Sequence, residues 1–329
     1  MKKLISKIEN YCIPLLIFIF SIFVNRSLTT DSHSLGENLQ NYSEIFPLQD
    51  GILQPQRILL PILGKLLNTD LQILNLLFLI IFIYIFYNHL LKTQSKLNSI
   101  LITLGLSSSM FVQFHLNFGG YPDILSYLLL LIAFVYKHRT VTPYVLLLLA
   151  LTTKETVIFT FLFFISLKAI SKLKIFVVAV IYLPFYFTLS NGVFDFNFYI
   201  QPLKSNIFYW ASQSIDFLIT GYFSTIKFLW LIIFLFFIRH FKETTPLILL
   251  IFGISLQVLI GGDTTRLISF IFLGLLYVLE CMNLKKDTGF LLLITLLNIF
   301  TKKCYVFFGQ LTIINESRLS PIDFFQIFN

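Results

Sequence analysis

Charge is scarce in this chain: only 12% of its 329 residues are Asp, Glu, Lys or Arg, against 57% hydrophobic. A water-soluble domain of this length carries about a quarter charged residues and interrupts its apolar stretches every turn or two. Water is therefore excluded as the solvent for most of the sequence. Cysteine is nearly absent as well. Cys12, Cys281 and Cys304 lie far apart, with no CxxC and no His partner at metal-ligand spacing, which implies neither a disulfide framework nor a zinc site. A third absence is a cleavage site. Met1-Lys2-Lys3 and the apolar run to Val24 resemble a signal peptide, but Val24-Asn25-Arg26-Ser27 offers no small-x-small pattern, so the segment reads as an uncleaved signal-anchor helix. There is no internal repeat and no low-complexity linker, and residues 1–329 read as a single polytopic membrane domain.

What is present in quantity is long Leu/Ile/Phe runs. About 20 apolar residues cross the hydrocarbon core as a helix, and only helices or closed barrels satisfy the backbone there. The runs do not alternate, which excludes the barrel. Spans are expected near Tyr11 to Val24, Leu71 to Leu91, Ile100 to Phe114, Pro122 to Tyr136, Phe176 to Leu189, Tyr222 to Ile238, Pro246 to Ile260, Leu267 to Cys281 and Gly289 to Phe300. The apolar stretch from Pro143 to Leu167 is interrupted by Thr152-Thr153-Lys154-Glu155 and reads as a short hairpin. The expectation is an all-α integral membrane protein of about nine to eleven transmembrane helices, hairpin included.

The net charge of +8 builds no basic face for nucleic acid, because the cations punctuate the apolar runs in small clusters. Lys2/Lys3/Lys7, Lys92/Lys96, Lys137/Arg139, Lys168/Lys172/Lys174, Arg239/Lys242 and Lys285/Lys286 all fall on one side under this topology. The positive-inside rule makes that side, and the N-terminus, cytoplasmic. The other side receives Asp31, Glu37, Glu44, Asp50, Arg57, Asp123, Glu155, Asp195, Asp263 and Arg266, with both long loops. Residues 25–69 form the first outer loop, whose end, Arg57 to Lys65, reads as a helix in the membrane interface. Residues 190–213 form a second outer loop rich in aromatics, which favour the headgroup boundary.

Chemistry is therefore sought on the outer face. Asp31, in Thr29-Thr30-Asp31-Ser32-His33, could serve as a general base or hold a divalent cation together with His33, and reads equally well as a solvated loop acid. No other cofactor is expected. Arg57 could fork onto a lipid phosphate or simply snorkel. Capping accounts fully for Asp123, which opens a helix after Gly119-Gly120-Tyr121-Pro122. Asp263, in Gly261-Gly262-Asp263-Thr264-Thr265-Arg266, also makes a good N-cap. Arg266 opposes the helix dipole there, and so needs Asp263 or an anionic ligand such as phosphate as partner. Lys154-Glu155 reads as an ion pair inside an apolar stretch, either functional or self-neutralising at the hairpin tip.

In this order, the acid after the first helix, Gln56-Arg57-Ile58-Leu59-Leu60-Pro61, Thr153-Lys154-Glu155-Thr156 and Gly262-Asp263-Thr264-Thr265-Arg266 resemble the polytopic bacterial glycosyltransferase-C-like proteins. The resemblance is a scatter of short motifs over most of the chain. It implies an inverting sugar transferase in the bacterial inner membrane, with a polyprenyl-phosphate sugar as donor and a glycan, lipid or protein as acceptor at the outer surface. It further implies that Asp31 is the catalytic base, that Arg57, Lys154 and Arg266 bind the donor phosphate, and that His33, Asp123, Glu155 and Asp263 support them. Glu37, Glu44 or Asp50 could replace Asp31, because the usual paired acids are here Asp31-Ser32-His33. The rival expectations are a lipid-linked saccharide flippase or transporter, a surface-polysaccharide polymerase, and a non-catalytic assembly or scaffold protein.

Overall fold

The computed structural model describes residues 2–25, 28, 35–45, 56–189, 215–260 and 264–301, and two strands at 304–307 and 310–313. The architecture is helical. In chain order the helices are α1 (Lys2–Asn25), α2 (Leu35–Ile45), α3 (Leu59–Leu67), α4 (Leu71–Leu90), α5 (Lys96–Ser107), α6 (Met110–Asn117), α7 (Asp123–Val135), α8 (Thr142–Thr153), α9 (Phe161–Ser166) and α10 (Lys172–Leu189). After them come α11 (Ile215–Ile226), α12 (Trp230–Arg239), α13 (Thr245–Ile260), α14 (Thr264–Ile268), α15 (Phe272–Cys281) and α16 (Thr288–Phe300). A short antiparallel hairpin, β1 (Cys304–Phe307) with β2 (Gln310–Ile313), follows.

Among the described residues four helical segments are long and apolar enough to cross a membrane: Ile8–Asn25, Leu71–Leu90, Lys172–Leu189 and Ile219–Arg239. Lys96–Ser107 with Met110–Asn117 makes a fifth if counted as one span bent by 53°. The bend replaces the unbroken helix expected over 100–114. Its cause is local: Ser107-Ser108-Ser109 fall together, the Ser108 and Ser109 hydroxyls donate to the carbonyls of Leu104 and Leu106, and Asn25 Nδ2 donates to the Ser107 carbonyl at 3.0 Å. Hydroxyls that back-bond to the preceding turn bend helices. Asp123–Val135, Thr142–Thr153, Glu155–Ser166, Thr245–Leu259 and Thr288–Phe300 are apolar helices of 10–17 residues, shorter than the ~20 that span a bilayer alone.

The helices are apolar inside and out. At the centre Phe82, Phe111, Tyr127 and Phe272 pack ring to ring at 5.1–5.7 Å, while on α10 Leu173, Phe176, Val180 and Ile181 are exposed. A helix apolar all round belongs in lipid. Several buried polar groups are tied off. Gln94 donates to the carbonyls of Leu279 and Met282 at 2.8 Å, Asn98 donates to that of Leu284 at 2.6 Å, and Lys227 donates to the carbonyls of Asn298 and Thr301 at the end of α16.

Contacts gather the basic clusters at one end. Lys96 pairs with Glu9 at 2.6 Å, Lys137 and His89 both meet Glu280, and Lys174 donates to the Thr140 carbonyl. One cavity there is lined by Lys137, Lys168, Lys242 and Glu280. The segment from α8 to α9 leaves this lysine end and returns to it, where the Ser171 amide donates to the Tyr144 hydroxyl at 2.8 Å. Its two arms pack against different neighbours: α8 lies on α7 and α10, and the arm of 155–166 lies on α13.

Candidate functional site

At the far end from the lysines, four segments distant in sequence bring their charges together. The site begins at the turn before α7. Gly120 has φ 76°, a conformation that suits glycine, and its amide donates to Gln72 Oε1 at 3.1 Å. Asn75 donates to the Tyr121 carbonyl at 2.7 Å, and Gly36 of α2 lies so close to the Gly119 carbonyl oxygen that a Cβ would collide with it. The turn is thereby fixed to α2 and α4, and Pro122 starts α7 with Asp123 fully buried at its first position.

Lys154 interrupts the next pair of helices. Its backbone is extended, with φ −157° and ψ 114°, between α8 and a 3-10 turn at Glu155–Thr160. In extended backbone, successive side chains point to opposite sides, and this overturns the expected Lys154-Glu155 pair. Lys154, 1% exposed, donates instead to Asp123 Oδ1, while Glu155 is gripped by Arg57, whose Nε reaches Oε2 at 2.9 Å and Nη2 reaches Oε1 at 2.6 Å. That two-pronged geometry is what a guanidinium offers a carboxylate. Burial alone would lower the Arg57 pKa, but the Glu155 carboxylate beside it more than compensates and holds it above its ordinary value.

Arg266 completes the group. Its Nε lies 3.6 Å from Asp123 Oδ1, and its guanidinium sits over the rings of Tyr121 (4.9 Å) and Phe114 (5.7 Å). The cation against the helix dipole thus finds its acid at Asp123, 143 positions earlier. The Arg266 carbonyl accepts from the Tyr127 hydroxyl at 2.8 Å, anchoring α14 to α7.

Of the expected site residues, Arg57, Asp123, Lys154, Glu155 and Arg266 are brought together. Asp31, His33 and Asp263, with Asp50 and the loop 190–213, lie outside the described residues, and so does the divalent-cation pairing of Asp31 with His33. Glu37 and Glu44 sit on α2. Two neighbours were missed by sequence reading. His115 of α6 is buried among Phe111, Phe114 and Tyr127, and Tyr182 of α10 is buried in the field of Glu155. Both sit in mainly apolar helices, and that polarity was the available signal.

Among the described residues the cluster holds three cations, Arg57, Lys154 and Arg266, and two carboxylates, Asp123 and Glu155. Arg57 Nη1, Asp123 Oδ2, His115 Nδ1 and the Tyr182 hydroxyl have no hydrogen-bond partner among the described residues. Each charge taken out of water costs several kcal/mol, repaid only by good partners; Arg57 Nη1 is left as a donor without an acceptor and Asp123 Oδ2 as an acceptor without a donor among the described residues. Comparison of the chain with protein-family models, curated proteins and solved structures finds no match.

Proposed function

We propose that this is a multi-pass inner-membrane glycosyltransferase of glycosyltransferase-C-like type, taking a sugar from a polyprenyl-phosphate carrier and passing it to an acceptor at the end opposite the lysines, with the N-terminus cytoplasmic. The observation that carries this reading is the convergence of Arg57, Lys154 and Arg266, with two carboxylates between them among the described residues. An acceptor hydroxyl attacks the anomeric carbon as Asp31 takes its proton, and the bond from that carbon to the phosphate oxygen breaks with inversion. The departing carrier phosphate gathers negative charge, which prearranged cations stabilise more strongly than water does. Asp123 and Glu155 act as positioning residues, holding Lys154 and Arg57 in place.

One observation favours a second reading, a lipid-linked saccharide flippase or transporter: two helical pairs are broken, at Ser107–Ser109 and at Lys154, and transporters bind substrate at interrupted helices. The two are separated by incubating membranes that carry wild type or Asp31→Asn with radiolabelled polyprenyl-phosphate sugars. Asp31-dependent label transfer is expected. A folded protein that transfers no label from any donor, yet moves lipid-linked sugar across vesicles, would replace the enzyme with the transporter.

A further inference from the structure

At the lysine end, a cavity of about 570 Å³ opens between four segments: the end of α7, the link from α9 to α10, the start of α13 and the end of α15. Its walls carry Lys137, Lys168 and Lys242 against Glu243 and Glu280. Lys137 is already committed to Glu280 through both carboxylate oxygens, at 2.7 and 2.6 Å. Lys168 and Lys242 are exposed and have no ion-pair partner among the described residues. Thr245 and Pro246, the first residues of the 16-residue α13, form part of the wall and add the positive end of that helix. The charged groups of the lining are therefore net cationic.

Apolar residues stand next to this lining in the chain. Phe241, the residue before Lys242, is 77% exposed, and Ile238, one turn earlier, is 78% exposed. A dissolved phosphate has no use for exposed apolar neighbours, whereas a phospholipid needs both parts, a cationic recess for the headgroup and apolar surface nearby for the chains. Basic recesses between helices at the positive end of a membrane protein suit anionic headgroups.

We infer that this cavity seats the phosphate headgroup of an anionic phospholipid, at the opposite end of the molecule from the charged cluster. Lys168 and Lys242 close on the phosphate, and the acyl chains lie against Ile238 and Phe241. The test is thermal melting of the detergent-purified protein with added dioleoyl phosphatidylglycerol, dioleoyl phosphatidylcholine, glycerol 1-phosphate or inorganic phosphate. Binding to the folded state raises Tm, and only phosphatidylglycerol is expected to do so. Lys168→Gln with Lys242→Gln should abolish that shift while leaving Tm in phosphatidylcholine unchanged. Lys285→Gln with Lys286→Gln, outside the cavity, should retain it. Equal shifts from both lipids, or a phosphatidylglycerol shift that survives loss of Lys168 and Lys242, would overturn the inference. So would an equal shift from glycerol 1-phosphate or inorganic phosphate, which would make the ligand a free phosphate.

Discussion

Lys154 is bound to Asp123, 31 positions earlier, and has turned away from Glu155, its neighbour in the chain. The pairing sets a testable order of stabilities. Lys154→Met should destabilise by about 3 kcal/mol, because removing one partner of a buried pair leaves the other charge uncompensated. Lys154→Met with Asp123→Leu should recover part of that loss, the remainder reflecting Arg266 left without its acid. Lys154→Met with Glu155→Leu should be worse than either, since it strands Asp123 and Arg57 together. Melting in detergent ranks the three, and equal recovery by both doubles would contradict the pairing.

Arg57→Lys keeps the charge but loses the fork. One of the two hydrogen bonds to Glu155 disappears, and a hydrogen bond to a charged group contributes about 1.5–3 kcal/mol. A fall in stability of that order should appear in denaturation of the purified protein, and no change would show that charge alone suffices.

If Arg266 holds the departing phosphate, Arg266→Ala should lower kcat/KM for the lipid-linked donor by about ten- to a hundredfold, the range expected for one charge-assisted contact. The protein should still reach the membrane. Unchanged kinetics would remove Arg266 from the site.

Gly253 of α13 passes so close to the carbonyl oxygen of Phe159 that a Cβ there would collide with backbone. Gly253→Ala should therefore push α13 from the 155–160 turn and cost about 1–3 kcal/mol. Because Glu155 rides on that turn, activity should fall further than that of a control substitution of equal destabilisation elsewhere, a comparison that a transfer assay and a melting curve make together.

The helical and apolar character of the chain was legible because hydropathy is a local property. Some members of the charged cluster were legible too: Lys154 stood out inside an apolar stretch and Arg266 as a cation set against a helix dipole. Partners were not legible. Helix capping explained Asp123 so completely that its larger part, holding Lys154 and Arg266, could not be read from the sequence around it. Lys154 and Glu155 looked like a pair because they are adjacent, and only the extended backbone at Lys154 sends them apart. The bend at Ser107–Ser109 did have a signal, three serines in a row inside an apolar run, but hydropathy averages hide it. Helix lengths were not legible either, because an apolar run does not show where a short helix stops.

The distances along the chain within the charged cluster also set a schedule for synthesis. Asp123 waits 31 residues for Lys154, Arg57 waits 98 for Glu155, and the second cation on Asp123 arrives only with Arg266. A nascent chain that stops short of residue 154 holds a carboxylate and a guanidinium that cannot yet enter lipid together with their partners. The early helices must therefore remain beside water or an insertion partner until the arm of 142–166 arrives. Chains truncated before that point should be cleared by the cell as unassembled, whereas the last partner, Arg266, locks a site already half closed.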